Sequence, residues 1–166
     1  MQNITGYRIL QLSQTLTTSS GSAYSANDQV GGLQTINLQS NFPAAFSTVN
    51  FVSVRIFSVH IIDTSKQSAA MNIYFFSSAP TLASSDNDPL NISAADMAAK
   101  CQGFDTLASY VTSANATVGT TATSAVGHYL VPASNNLLYA VLQTTGTPTY
   151  TSTSAVTLVY HLECHY

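Results

Sequence analysis

Charge is what this chain has least of. Four Lys and Arg residues and seven Asp and Glu make charged side chains 7% of the 166 residues, against about a quarter in ordinary soluble domains. The four bases, Arg8, Arg55, Lys66 and Lys100, cannot make the basic stripe that a phosphate backbone requires, and the net charge of −3 opposes one. Nucleic acid is therefore not an expected partner. With a mean hydropathy of +0.16, solubility has to rest on abundant Ser and Thr hydroxyls and on amides.

Several other signals are missing. No apolar run approaches the ~18 residues of a spanning helix, so no membrane partner is expected. The N-terminal MQNITGYRIL has neither the charged n-region nor the continuous apolar h-region of a signal peptide, and the chain is expected to be made in a cytoplasm and left untargeted. Only two cysteines occur, Cys101 and Cys164, and in a reducing compartment they are expected as free thiols. There is no G-x-G-x-x-G between a strand and a helix and no G-x-S-x-G elbow, and serine is too common for any one residue to mark a nucleophile. No catalytic residue, cofactor or metal is assigned, and the chain is expected not to be an enzyme. A repeat or a heptad stalk is also lacking.

What is present is strand patterning. Residues 51–80, FVSVRIFSVHIIDTSKQSAAMNIYFFSSAP, hold two apolar runs around a polar connection, Asp63 to Ser68, and read as a central β-hairpin. In the first run Val52, Val54, Ile56, Ser58, His60 and Ile62 alternate with Phe51, Ser53, Arg55, Phe57, Val59 and Ile61. Both sets are largely apolar, so both faces are expected to be covered, by a second sheet or by a partner molecule. Residues 7–17 alternate as a first strand with one wetter face. Further strands are expected at 103–112, 125–131, 137–145 and 154–164, while 115–124 reads as a mobile or partner-ordered loop. Gly31-Gly32 suggests a bulge or a close backbone approach. Ser93-Ala-Ala-Asp-Met-Ala-Ala-Lys100 is the one helical stretch, with Ser93 as cap and Asp96 in the first turn. The expected fold is all-β: a single antiparallel β-sandwich over 1–166, jelly-roll-like, about eight strands with one short helix.

Two places invite a metal. Asp86-Asn-Asp-Pro89 lacks the glycine and terminal glutamate of a calcium loop and reads as a solvated turn. If the last strand runs to the end of the chain, His161, Glu163 and His165 project from one face as a two-His-one-carboxylate set, though a structural zinc site normally takes four ligands. A wet final strand is the plainer alternative. Tyr74, Tyr139 and Tyr160 fall at strand positions, where packing is a better account than ligand contact.

Four pieces carry a resemblance: Ala23 to Leu33 (AYSANDQVGGL); Ile62 to Ala70 (IDTSKQSAA) with Ile73 to Phe76 (IYFF); Ile92 to Met97 (ISAADM); and Leu138 to Leu142 (LYAVL) with Gly146 to Ser154 (GTPTYTSTS). In order and spacing they resemble tailed-bacteriophage capsid decoration (cement) proteins across nearly the whole chain. Glu163 to Tyr166 extends beyond the part that resembles them. The resemblance implies a compact sandwich, often a homotrimer, that sits on the outer capsid surface of the virion and clamps neighbouring major capsid protein subunits after synthesis in the host bacterial cytoplasm. The principal alternative is a receptor- or carbohydrate-binding module of a phage head or tail fibre. A small β-sandwich hydrolase would need an acid–base pair that the sequence does not offer.

Overall fold

The computed structural model describes residues 6–40, 50–121, 128–132 and 135–166. They form nine strands and one helix: β1 Tyr7–Thr15, β2 Gln29–Asn37, β3 Ser53–Asp63, β4 Met71–Phe76, α1 Ala94–Lys100, β5 Cys101–Thr112, β6 Thr117–Thr121, β7 His128–Leu130, β8 Leu137–Thr144 and β9 Val156–His165. All pairings are antiparallel, and eight strands run in the hydrogen-bonded order β1-β9-β3-β6-β5-β4-β8-β2, with β7 paired to β3. One half, β1-β9-β3-β6, interleaves the ends of the chain with its middle, and the other, β5-β4-β8-β2, does the same. The four strands β3-β6-β5-β4 of that path are in Greek-key order, and the interleaving in the two halves is that of a jelly roll.

The two ends of that path come back together. Gln14 on β1 donates from Nε2 to the Thr35 carbonyl on β2 at 3.5 Å, and Leu12, Ile36 and Tyr160 line a depression between the two strands. The sheet is thus rolled up, and its inward residues from both halves meet in one cluster that includes Leu12, Ile61, Ile73, Leu107, Leu142 and Tyr160. Burying each such side chain contributes about 1.5–3 kcal/mol. Register enforces this: Leu10 lies opposite Leu162 and Leu12 opposite Tyr160, and all four are buried.

The expected hairpin of residues 51–80 does not form. Both strands exist, but β9 lies along one edge of β3 and β6 and β7 along the other, while β4 is held between β5 and β8. No edge is left for β3 and β4 to share. Their connection is a tight turn built on Asp63, 2% exposed, whose carboxylate accepts the backbone N–H groups of Ser65 (2.8 Å), Gln67 (2.6 Å) and Ser68 (3.2 Å). Lys66 and Ser68 take left-handed conformations there, and the chain leaves toward the other half of the roll.

Nor is β3 covered on both faces. Its pairing with β9 shifts register between Ile56 and Ser58, and the extra residue at this bulge, Phe57, reverses the alternation. Val54 and Ile56 before it and Val59 and Ile61 after it all point into the same core. Ser53, Arg55, Ser58, His60 and Ile62 are half-buried between them. A phase change, not a second covered face, produces the doubly apolar pattern.

Residues 115–124 are also not simply a loop. Thr117–Thr121 is β6, wedged between β3 and β5, with Thr117, Gly119 and Thr121 buried and Val118 exposed; 122–124 lie outside the described residues. Gly119 is required because the Tyr110 ring, its cross-strand neighbour, covers it: a methyl group there would come within 2.4 Å of Tyr110 and 2.7 Å of Ile61. Helix α1 follows its sequence signals. Ser93 Oγ accepts the Asp96 N–H at 3.0 Å, and Asp96 pairs with Lys100 at 2.7 Å. Among the described residues no helix is long and apolar enough to cross a membrane.

Candidate functional site

The sequence-suspected residues of the last strand share a face, as their spacing of two requires, but they do not converge on one point. His161 turns toward β3: its Nδ1 lies 2.9 Å from Ser58 Oγ, which is also 3.3 Å from His60 Nε2. The two imidazoles meet edge to face at 4.7 Å. Glu163 instead pairs with His165 at 2.8 Å. Among the described residues no group of three His, Cys, Asp or Glu is placed to hold a metal. Burial, and then the neighbouring His161, push the His60 pKa below its ordinary value, because a cation on this half-buried face loses water and meets a second ring that can also charge.

Asp86 stands in the turn its sequence suggests, with Asp88 and Pro89 exposed, but its own carboxylate is half-buried and fully engaged. Its Oδ1 accepts the Gly31 N–H at 2.5 Å, its Oδ2 accepts Ser19 N–H at 2.5 Å and Ser19 O–H at 2.6 Å, and the Tyr24 hydroxyl donates to the same carboxylate at 2.8 Å. One carboxylate therefore ties three separate segments together. Gly31 sits where β2 breaks register with β8, at φ +69, which is the bulge its sequence suggested. Gly32 is different: it does not take a positive φ, and nothing lies within 4 Å of an added methyl. Burial, reinforced by Asp86, pushes the Tyr24 phenol far up, so it stays protonated and donates.

Two outward surfaces carry apolar groups in register. On β3, β6 and β5, Ile62 lies opposite Val118 and Val118 opposite Val111, and Val118 and Val111 are 41% and 76% exposed. His60, Tyr110, Val111, Val118 and Thr120 border a shallow depression of about 320 Å³ beside this stripe. On β5, β4 and β8 the outward groups are aromatic and amide: Phe104 opposite Tyr74, and Asn72 opposite both Thr106 and Gln143. Of the tyrosines, Tyr160 is in the core, and Tyr74 and Tyr139 are half-buried on the sheet.

Sequence patterning does not reveal Asp86 or the Ile62–Val118–Val111 stripe. The first depends on loop contacts far apart in the chain. The second depends on β6, whose Thr-rich composition hides a β-branched strand.

The strand order places the chain among jelly rolls, an architecture found in viral capsid proteins, lectins and cupins alike. No family model matches the chain, and no curated protein matches it in sequence. Among solved structures it is similar to a chain of Desmodium yellow mottle tymovirus, at 11% identity and a TM-score of 0.39, covering 99% of this chain and 90% of that one. It is also similar to a chain of a marine algae virus of the order Picornavirales, at 13% identity and a TM-score of 0.31, covering 96% of this chain and 69% of that one. Both superpositions are loose, and the assignment of the architecture rests on the strand order itself.

Proposed function

We propose that this chain, 1–166 as one domain, is a non-enzymatic structural protein of the virion, seated on the outer capsid surface, where it bridges major capsid protein subunits and stabilises the shell. The observation that carries it is the Ile62–Val118–Val111 stripe, three β-branched side chains in register on a surface without a neighbouring charge ladder. An apolar row of this kind, exposed at Val118 and Val111 and half-buried at Ile62, suits static association by packing. The resemblance of four sequence segments to phage decoration proteins supports the same role, as does the scarcity of charge. A protein that binds the assembled lattice better than free subunits shifts the equilibrium toward the closed shell by its binding free energy.

Association as a homotrimer belongs to this proposal and rests on the resemblance to phage decoration proteins. Light scattering should give about three times the 17.5 kDa chain mass. For the role itself, purified protein is mixed with shells lacking it and sedimented. Saturable co-sedimentation that is lost in Val111→Asp and Val118→Asp supports the role. Protein that stays in the supernatant with every shell tested overturns it.

A further inference from the structure

The outward face of β5, β4 and β8 carries a different chemistry from the apolar stripe. Phe104 is 59% exposed, and its ring lies 5.8 Å from that of Tyr74, tilted by 34°. Phe104 thus presents most of its ring to the outside, with Tyr74 as its cross-strand neighbour. Beside the pair runs a chain of polar groups. Thr106 Oγ1 donates to Asn72 Oδ1 at 3.2 Å, Asn72 Nδ2 to Gln143 Oε1 at 3.3 Å, and the Tyr74 hydroxyl to the same Gln143 oxygen at 3.1 Å. Gln143 Nε2 is directed at the Asn27 carbonyl at 3.4 Å. Tyr74 and Gln143 also wall a cleft of about 180 Å³, closed on its other side by Leu90, Ile92 and Met97.

We propose that this face is a binding site for a neutral sugar, stacked on Phe104 and Tyr74 and hydrogen-bonded by Asn72 and Gln143. A pyranose has an apolar C–H face and a rim of hydroxyls, each both donor and acceptor. The exposed Phe104 ring offers a flat surface for the first, with the Tyr74 ring tilted beside it. The amides offer donors and acceptors side by side for the second, and their mutual hydrogen bonds fix them in orientation before a ligand arrives, which lowers the ordering cost of binding. The cleft is smaller than the ~300–1,000 Å³ of typical ligand pockets, so it suits one ring of an oligosaccharide with the remainder along the sheet. Among the described residues no Lys, Arg, Asp or Glu lines the cleft, so no cation there forms an ion pair with a sialic or uronic acid carboxylate. A neutral hexose is thereby favoured over an acidic one. Nucleobases also stack on aromatic rings and bond to amides, but the hydroxyl-rich ligand matches the row Thr106, Asn72, Gln143 and Tyr74 better.

The site does not depend on the capsid role, and the two fail separately. Malto-, cello- and galacto-oligosaccharides, sialyllactose and adenosine are titrated calorimetrically into the intact protein. Saturable millimolar or tighter binding of at least one neutral oligosaccharide is expected, weakened about tenfold by Phe104→Ala and by Gln143→Ala. Phe104→Tyr should keep the affinity. Phe104→Leu, which preserves apolar bulk without the ring, should lose it even if the alanine variant melts early. No saturable binding of any neutral probe, binding that survives both ring and amide substitutions, or preference for adenosine or sialyllactose overturns the proposal.

Discussion

The hydroxyl of Tyr24, a residue 1% exposed, donates to Asp86 from 62 residues away at 2.8 Å, and this bond closes the end of the roll where the β1–β2 connection, the β2 bulge and the 77–93 loop meet. Removing the carboxylate leaves the Gly31 N–H and the Ser19 and Tyr24 hydroxyls without their acceptor, and the Ser19 N–H with the Tyr24 hydroxyl alone. We expect Asp86→Ala to cost about 2–4 kcal/mol and Tyr24→Phe about 1 kcal/mol. Tyr160 makes the control: its hydroxyl is buried with no partner among the described residues, so Tyr160→Phe should be neutral or stabilising. Urea unfolding of the three variants gives the comparison. Equal midpoints for Asp86→Ala and Tyr160→Phe would remove Asp86 from its central place.

The two adjacent glycines should behave unlike each other. Gly31 holds φ +69 and an added methyl would sit 3.3 Å from Leu16 Cβ, so Gly31→Ala should cost about 1–2 kcal/mol from conformation alone. Gly32 faces open space, and Gly32→Ala should be tolerated, or stabilise by about 0.4–1 kcal/mol through the unfolded chain. Thermal melts settle it, and similar losses at both positions would show that the bulge is not what constrains them.

The cysteines, one beginning β5 and one inside β9, are both free. Cys164 is fully buried, and that burial, with Glu163 beside it, pushes its thiol up to about 12. Alkylation without reductant should label both thiols in denaturant but Cys101 alone in the native protein. A native Cys164 that reacts as fast as Cys101 would mean that β9 opens readily.

How much of this was legible in the sequence depends on the range of the physics involved. Strand β1, helix α1 with its Ser93 cap, and the Gly31 bulge follow from local rules, and the all-β class follows from them and the turn residues. Alternation gave the correct common face for His161, Glu163 and His165. It could not say that His161 would find Ser58 and His60 across the sheet. The hairpin assignment failed because adjacency in sequence outweighed a partner choice made by β9, β6, β5 and β8, all far along the chain. The bulge at Phe57 defeated simple alternation, since a single inserted residue exchanges the faces.

Stability should fall on mild acidification, and His60 should be part of the reason. Its folded-state pKa is lowered, first by burial and then by His161, so below about 6.5 the unfolded chain binds a proton that the folded chain resists. Stability is therefore present above that pH and declines as pH falls toward the folded value. Ser58 and His161 face His60, Thr120 lies opposite it, and Tyr110 borders the same depression. His60→Gln should flatten the melting temperature between pH 7 and pH 5. An unchanged slope would assign the acid sensitivity elsewhere.

Salt should be a weak lever on the capsid association, because the chain has only eleven charged side chains and the stripe across Ile62, Val118 and Val111 contains none. Screening acts on exposed charges within a Debye length of about 10 Å at 0.1 M, whereas apolar contact is insensitive to it. Co-sedimentation with shells should thus be nearly constant from low to moderate salt. Val111→Asp should abolish it while leaving the melting temperature within a few degrees, since Val111 is 76% exposed and supports no core packing. Shells carrying the protein should also hold their DNA to higher temperature than bare shells, because a ligand selective for the assembled state adds its binding free energy to that state. Release of DNA on a temperature ramp, with and without bound protein, makes the decision. Equal midpoints, together with steep loss of binding as salt rises, would show that the stripe is not the contact and that the domain does not stabilise the shell.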